Sequence, residues 1–236
     1  MTDTLSRPLA TRLEKLEMPQ FTPRKTHIPS PAKAAAIVAL EEGKTHYTNR
    51  PGIVPLREWV TQHIKALYGL SLDKDEVTIT CGIEEAIFAC VMVLAENAIL
   101  APGDASHLHG AATLKDVPII YSTDKLTDGT LIYLTALESD NVIVDILKNA
   151  NPKTCWIVWD TTVGTVSTPA FHPAQNISWT ARTISIGNTE DMLPGWRIGW
   201  MAGSSMAGKI RSFKQSMTIC SPSISQWAAY GWADNS

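Results

Sequence analysis

The residues with the clearest chemical potential sit beside short apolar runs. Gly82 follows the β-branched run VTIT (77–80) and precedes a helical stretch from Ile83 to Ala95. Glycine there lets the chain turn tightly, so that the amides of Ile83 and Glu84 open the helix with unpaired N–H groups. Such an N-terminus attracts phosphate. Asp160 closes the run CWIVWD (155–160), at the strand end where α/β sheets bind ligands. Taken singly, each has a plainer reading, Gly82 as an ordinary strand–helix turn and Asp160 as a helix cap. His107 and His109 form the one close histidine pair, and on a strand they would share a face. With no third ligand nearby, a metal site is not expected. Cys81, Cys90, Cys155 and Cys220 show no paired spacing and read as small buried apolar residues of a reducing compartment.

These residues need elements to position them. Pro31 to Gly43 has proline at a helix start and glycine at its stop, and VPLREWVTQHIKALY (54–68) has helical apolar spacing ended by Gly69. AILA (98–101), VPIIYS (117–122), TLIYLTAL (130–137), CWIVWD and TISI (183–186) are brief, almost wholly apolar runs. That is the pattern of strands buried on both faces of a sheet. WRIGWMAG (196–203) is a further strand, followed by a helix over 204–217 and another from Ser223. The alternation predicts an α/β fold, three layers with a mixed, mostly parallel sheet of about seven strands and WRIGW antiparallel.

Composition narrows the classes further. The chain has 236 residues, 44% hydrophobic and 18% charged, with a net charge of −3. A filled core is therefore expected, and neither a basic stripe nor a charge run points to nucleic acid. The longest apolar run, Ala86 to Ala95, is about half of a membrane span. The N-terminal segment has no apolar signal core, so a cytoplasmic protein is expected.

Three stretches resemble the class I/II aminotransferases, fold-type-I enzymes that use pyridoxal 5′-phosphate (PLP). They are GKTHYTNRPGIVPLREWV (43–60) with DEVTITCGIEEAIFA (75–89), WIVWDTTVG (156–164), and SIGNTEDMLPGWRIGW (185–200) with a trailing KQSMTICSPSISQWAA (214–229). The resemblance implies roles for individual residues. The turn at Gly82, Ile83 and Glu84 matches the family's phosphate cup. Ser185 and Arg197 match the other phosphate ligands, a hydroxyl donor and a bidentate guanidinium. Asp160 matches the carboxylate that keeps the pyridine nitrogen protonated, which makes the ring an electron sink. Tyr47 matches a tyrosine that reaches the neighbouring subunit's phosphate, which implies a homodimer.

The sequence also departs from the family. Its catalytic lysine lies three residues after the serine, here Asn188, and eight before the arginine, here Thr189. Neither can form an imine. Lys209, downstream, reads as a solvated charge. Ser139 falls near the family's cofactor asparagine, and Val163 takes the place of a tyrosine. Ser106 or His107 takes the place of the aromatic that stacks on the ring, and His109 is a candidate to stand in for another. Glu84 puts an acid beside the phosphate position. Arg24 and Lys25 stand near the family's substrate-greeting glycine. The expected organisation is an arm over 1–31 and an aminotransferase-like large domain over 32–236, ending before the family's small domain. The expected function is an aminotransferase-like protein that has lost standard transamination. It would bind PLP, pyridoxamine phosphate or another small phosphorylated ligand non-covalently if at all. The alternative is an active PLP- or pyridoxamine-phosphate-dependent enzyme with a substituted base such as His107 or His109.

Overall fold

Proline and glycine punctuate the helices where the sequence places them. In a computed structural model, Thr11 and residues 27–162, 171–191 and 193–235 are described. Helix α1 (Ser30–Glu41) has Pro31 in its first turn, and α2 (Val54–Tyr68) ends at Gly69 in the left-handed conformation. Such a glycine closes a helix without steric cost. The remaining helices are α3 (Ile83–Leu94), α4 (His109–Lys115), α5 (Asp140–Asn149), α6 (Ala207–Thr218) and α7 (Ser223–Ala233).

The strands are β1 (Val77–Thr80), β2 (Ala98–Leu100), β3 (Ile119–Ile120), β4 (Thr130–Thr135), β5 (Trp156–Asp160), β6 (Thr183–Asn188) and β7 (Gly199–Ala202). They form one seven-stranded sheet in the order β1-β7-β6-β5-β4-β2-β3. β7 is antiparallel to β1 and β6, and the other pairings are parallel. Both faces are covered. Helices α1, α2, α5 and α7 pack with Trp159, Leu134 and Trp200 on one face. Helices α3, α4 and α6 pack with Tyr133, Val158 and Ile184 on the other.

The α/β fold and its antiparallel strand are as the sequence predicts, with four local corrections. The run at 117–122 pairs only over Ile119–Ile120, and the WRIGWMAG strand starts at Gly199. His107 lies in a 3-10 turn and His109 opens α4, so the pair does not lie on a strand. Cys90 and Cys155 are buried, but Cys81 and Cys220 are half-buried; all four are free thiols. Burial pushes the Cys90 thiol up to about 12, which keeps it protonated and inert. The expected arm lies outside the described residues up to residue 26 apart from Thr11, and so do Arg24, Lys25 and Val163. Among the described residues, no helix is long and apolar enough to cross a membrane.

Candidate functional site

Strand directions gather the chemistry at one edge. β1, β2, β4, β5 and β6 run the same way, and β7 enters from their C-terminal edge. That edge therefore carries, in order, Gly82, Arg197, Asn188, Asp160, Thr135 and Pro102. Ligands of open α/β sheets bind at such an edge.

At its β1 end the backbone is drawn in closely. Gly82 has φ +79° and caps α3. Its carbonyl accepts from Thr80 Oγ1 at 2.8 Å. A Cβ on Gly199 would lie 2.6 Å from the Gly82 carbonyl carbon, so both glycines are required by close approach. Arg197 also has positive φ, +55°, a strained conformation for a residue with a Cβ. Its guanidinium lies over the Gly82 turn. Nη1 donates to Glu190 Oε1 at 2.7 Å, and Nη2 donates to Glu84 Oε2 at 2.7 Å and to the Cys81 carbonyl at 3.2 Å. A Cβ on Gly82 would meet Arg197 Cζ and Glu190 Oε1, each at 2.8 Å.

The turn is buttressed from α6. Lys214 is fully buried, 3.5 Å from Glu85 Oε2, and its ammonium donates to Thr218 Oγ1 at 3.1 Å. Glu85 in turn accepts from the Cys81 amide at 2.7 Å and from the Thr218 hydroxyl at 2.7 Å. This buried pair fixes the Cys81–Gly82 turn from beneath. Burial and the neighbouring Glu85 carboxylate push the Cys81 thiol up, which favours its protonated form.

Asp160, buried at the end of β5, is held by its own chain. Oδ1 accepts from the Thr162 amide at 2.8 Å and hydroxyl at 2.7 Å, and Oδ2 accepts from the Tyr133 hydroxyl. Burial and Asp160 push the Tyr133 phenol far up, so it remains a donor. Beyond Tyr133 lies a cavity of about 360 Å³, whose walls include His107, Asp104, Thr135 and Glu138. The Glu138 carboxylate is tied to the Thr135 hydroxyl at 2.8 Å. Ser139 stands at the N-cap position of α5 with no side-chain capping bond, and is exposed.

Ser185 is not brought to the Gly82 turn. It is buried on β6, and its hydroxyl lies 2.9 Å from His172 Nε2. His172 Nδ1 accepts from the Ala174 amide at 3.0 Å, so Nε2 carries the proton and donates to Ser185. Burial lowers the His172 pKa to about 3. Asn188 Oδ1 accepts from the Glu190 amide at 3.0 Å, and the Thr189 amide donates to the Ile198 carbonyl at 3.0 Å. Tyr47 is 71% exposed. His107, His109 and Lys209 are exposed. Among the described residues, no group of three or more His, Cys, Asp or Glu could hold a metal.

Sequence reasoning missed Glu190, Lys214, Tyr133 and His172. Two left a signal. Glu190 lies in the segment that is one residue longer between Ser185 and Arg197 than the resembling motif. Lys214 stands four residues after the buried Ile210, on the same helical face.

No family model matches the chain. It is 31% identical over 134 residues to an aspartate aminotransferase of Pyrococcus horikoshii, across 55% of this chain and 32% of that protein. It is 26% identical over 228 residues to the (5-formylfuran-3-yl)methyl phosphate transaminase of Methanocaldococcus jannaschii, across 85% of this chain and 60% of that one. The chain thus spans less than two thirds of the length of these relatives. Its structure superposes on a tetra-mutant aspartate aminotransferase of Thermus thermophilus with a TM-score of 0.80, at 20% identity, over 97% of this chain and 72% of that chain. The chain has the class I aminotransferase fold, that of the PLP-dependent transferases.

With the aminotransferase fold in hand, the fit of PLP is a question of donors. At the phosphate end, the Arg197 guanidinium and Glu190 Oε1 fill the space over Gly82, and two carboxylates stand on the guanidinium. With its charge met by two carboxylates, that guanidinium does not suit a dianion. At the ring end, Asp160 accepts three hydrogen bonds and keeps about one lone pair on Oδ2, room for one further donor. As arranged, the phosphate end does not fit the cofactor, and no chemical step is derived through it.

Proposed function

We propose that this chain is an aminotransferase-like protein that does not carry out transamination through a lysine-held cofactor, and that its phosphate cup is vestigial. One observation carries the reading. The chain has no lysine between Lys153 and Lys209, so Asn188 and Thr189 stand at the end of β6, where the family resemblance calls for the lysine. Neither an amide nor a hydroxyl replaces an amine in imine chemistry. The buried Lys214 is no substitute, since its ammonium is committed to Glu85 and Thr218.

PLP titration followed by borohydride reduction and peptide mass mapping tests this. The expected result is no stoichiometric adduct on any single lysine and no visible band that survives gel filtration. One lysine labelled to stoichiometry, with a visible band, would sink the reading.

A second reading keeps an active enzyme with a substituted base. His107, in the wall of the cavity beside Tyr133 and Glu138, favours it. Turnover of an amino acid with added pyridoxamine phosphate and a keto acid, lost in H107A, would select it. Within the first reading the chain is a cytoplasmic homodimer, and the exposed Tyr47 lies at its two-fold contact.

A further inference from the structure

We propose that Glu84 and Glu190 are resident anions on Arg197, and that they determine this site's specificity by excluding phosphate from the Gly82 turn. This deepens the reading of the turn as a vestigial cup and rests on it. Each acid engages a different guanidinium nitrogen, both at 2.7 Å, while the Cys81 carbonyl accepts from Nη2. Three of the five Arg197 donors face the protein's own oxygens in this way. With both acids ionised the cluster carries one net negative charge, where Arg197 alone would offer one positive charge. An arriving dianion would meet repulsion in place of attraction.

Steric occupancy points the same way. Glu190 Oε1 lies 2.8 Å from where a Cβ on Gly82 would stand, and two guanidinium atoms of Arg197 lie equally near. A carboxylate oxygen therefore borders the Gly82 Cα on the side that Arg197 covers. Glu190 is not there by chance of a loose loop. Its amide is held by Asn188 Oδ1 at 3.0 Å, and the Leu193 amide donates to the Thr189 carbonyl at 2.8 Å. Leu193 is buried in the core, which anchors the far side of the segment. Glu84 sits in the first turn of α3, where a carboxylate also meets the positive end of the helix dipole. The two acids satisfy the electrostatic demand of the turn without a ligand.

The test uses the full chain, with inorganic phosphate and PLP as probes at pH 7.5, read by calorimetry and by the Arg197 Nε–H resonance. The wild type is expected to show no saturable heat and an unmoved resonance at millimolar phosphate. E84Q/E190Q is expected to bind at least about tenfold more tightly than the wild-type limit. E84Q/E190Q/R197Q is expected to lose that binding. Binding to the wild type that moves the Arg197 resonance overturns the proposal. So does a folded double variant that does not bind, or a triple variant that binds as well as the double. Should the double variant not fold, the wild-type resonance alone decides. A lysine adduct without phosphate binding would overturn the functional reading and leave this inference standing.

Discussion

His172 shows how one buried side chain sets a pH response. Its imidazole is neutral in the folded chain, donating to Ser185 and accepting from Ala174. With its pKa lowered from 6.5 to about 3, only the unfolded state gains a proton between those values. Stability is therefore full above pH 6.5 and falls with acidification toward pH 3, by at most about 1.4 kcal/mol per pH unit from this group. Urea unfolding of His172→Gln from pH 4.5 to 7.5 should show a flatter acid limb than the wild type. Lys214 provides a second residue-scale prediction. Lys214→Met leaves the Glu85 carboxylate buried without its cation. That loss is expected to cost about 3 kcal/mol, with most of it recovered in K214M/E85Q. An unchanged unfolding midpoint in K214M would show that Glu85 finds water instead.

At the scale of elements, the close approaches decide which substitutions are tolerated. A Cβ on Gly199 would press on backbone and Thr80 at 2.6–2.8 Å, whereas one on Gly69 would meet open space. Gly199→Ala should cost about 3 kcal/mol and Gly69→Ala about 1 kcal/mol, the latter from its left-handed backbone alone. Equal midpoints in denaturant would contradict this account of the β7–Gly82 contact. Helices α1 and α7 cross at Gly231, where a Cβ would stand 2.3 Å from that of Ala35. Gly231→Val should loosen α1, and hydrogen exchange over residues 30–41 would report it as lost protection.

Over the whole molecule, the sheet was the part most legible in the sequence. TLIYLT and WIVWD are continuous apolar runs because both faces are covered by helices, and that pattern survives in one dimension. Gly82 and Asp160 were legible because they punctuate strand ends. The pairings were not. Glu190 meets Arg197 only because β6 and β7 are antiparallel neighbours, and Ser185 meets His172 across a chain separation no periodicity encodes. The apolar run VPIIYS predicts a longer strand than forms, because only Ile119–Ile120 pair at this sheet edge. Assembly belongs to this scale too. If the exposed Tyr47 lies at a two-fold contact, sedimentation should show a dimer that Tyr47→Ala weakens.

The central claim is that an aminotransferase fold here carries its own acids where a cofactor phosphate would sit. Crystals of the full chain soaked in PLP test it most directly. The account predicts density for Glu84 and Glu190 on the Arg197 guanidinium, with no ligand over Gly82. A phosphoryl group seated between the Ile83 amide and Arg197 would contradict it.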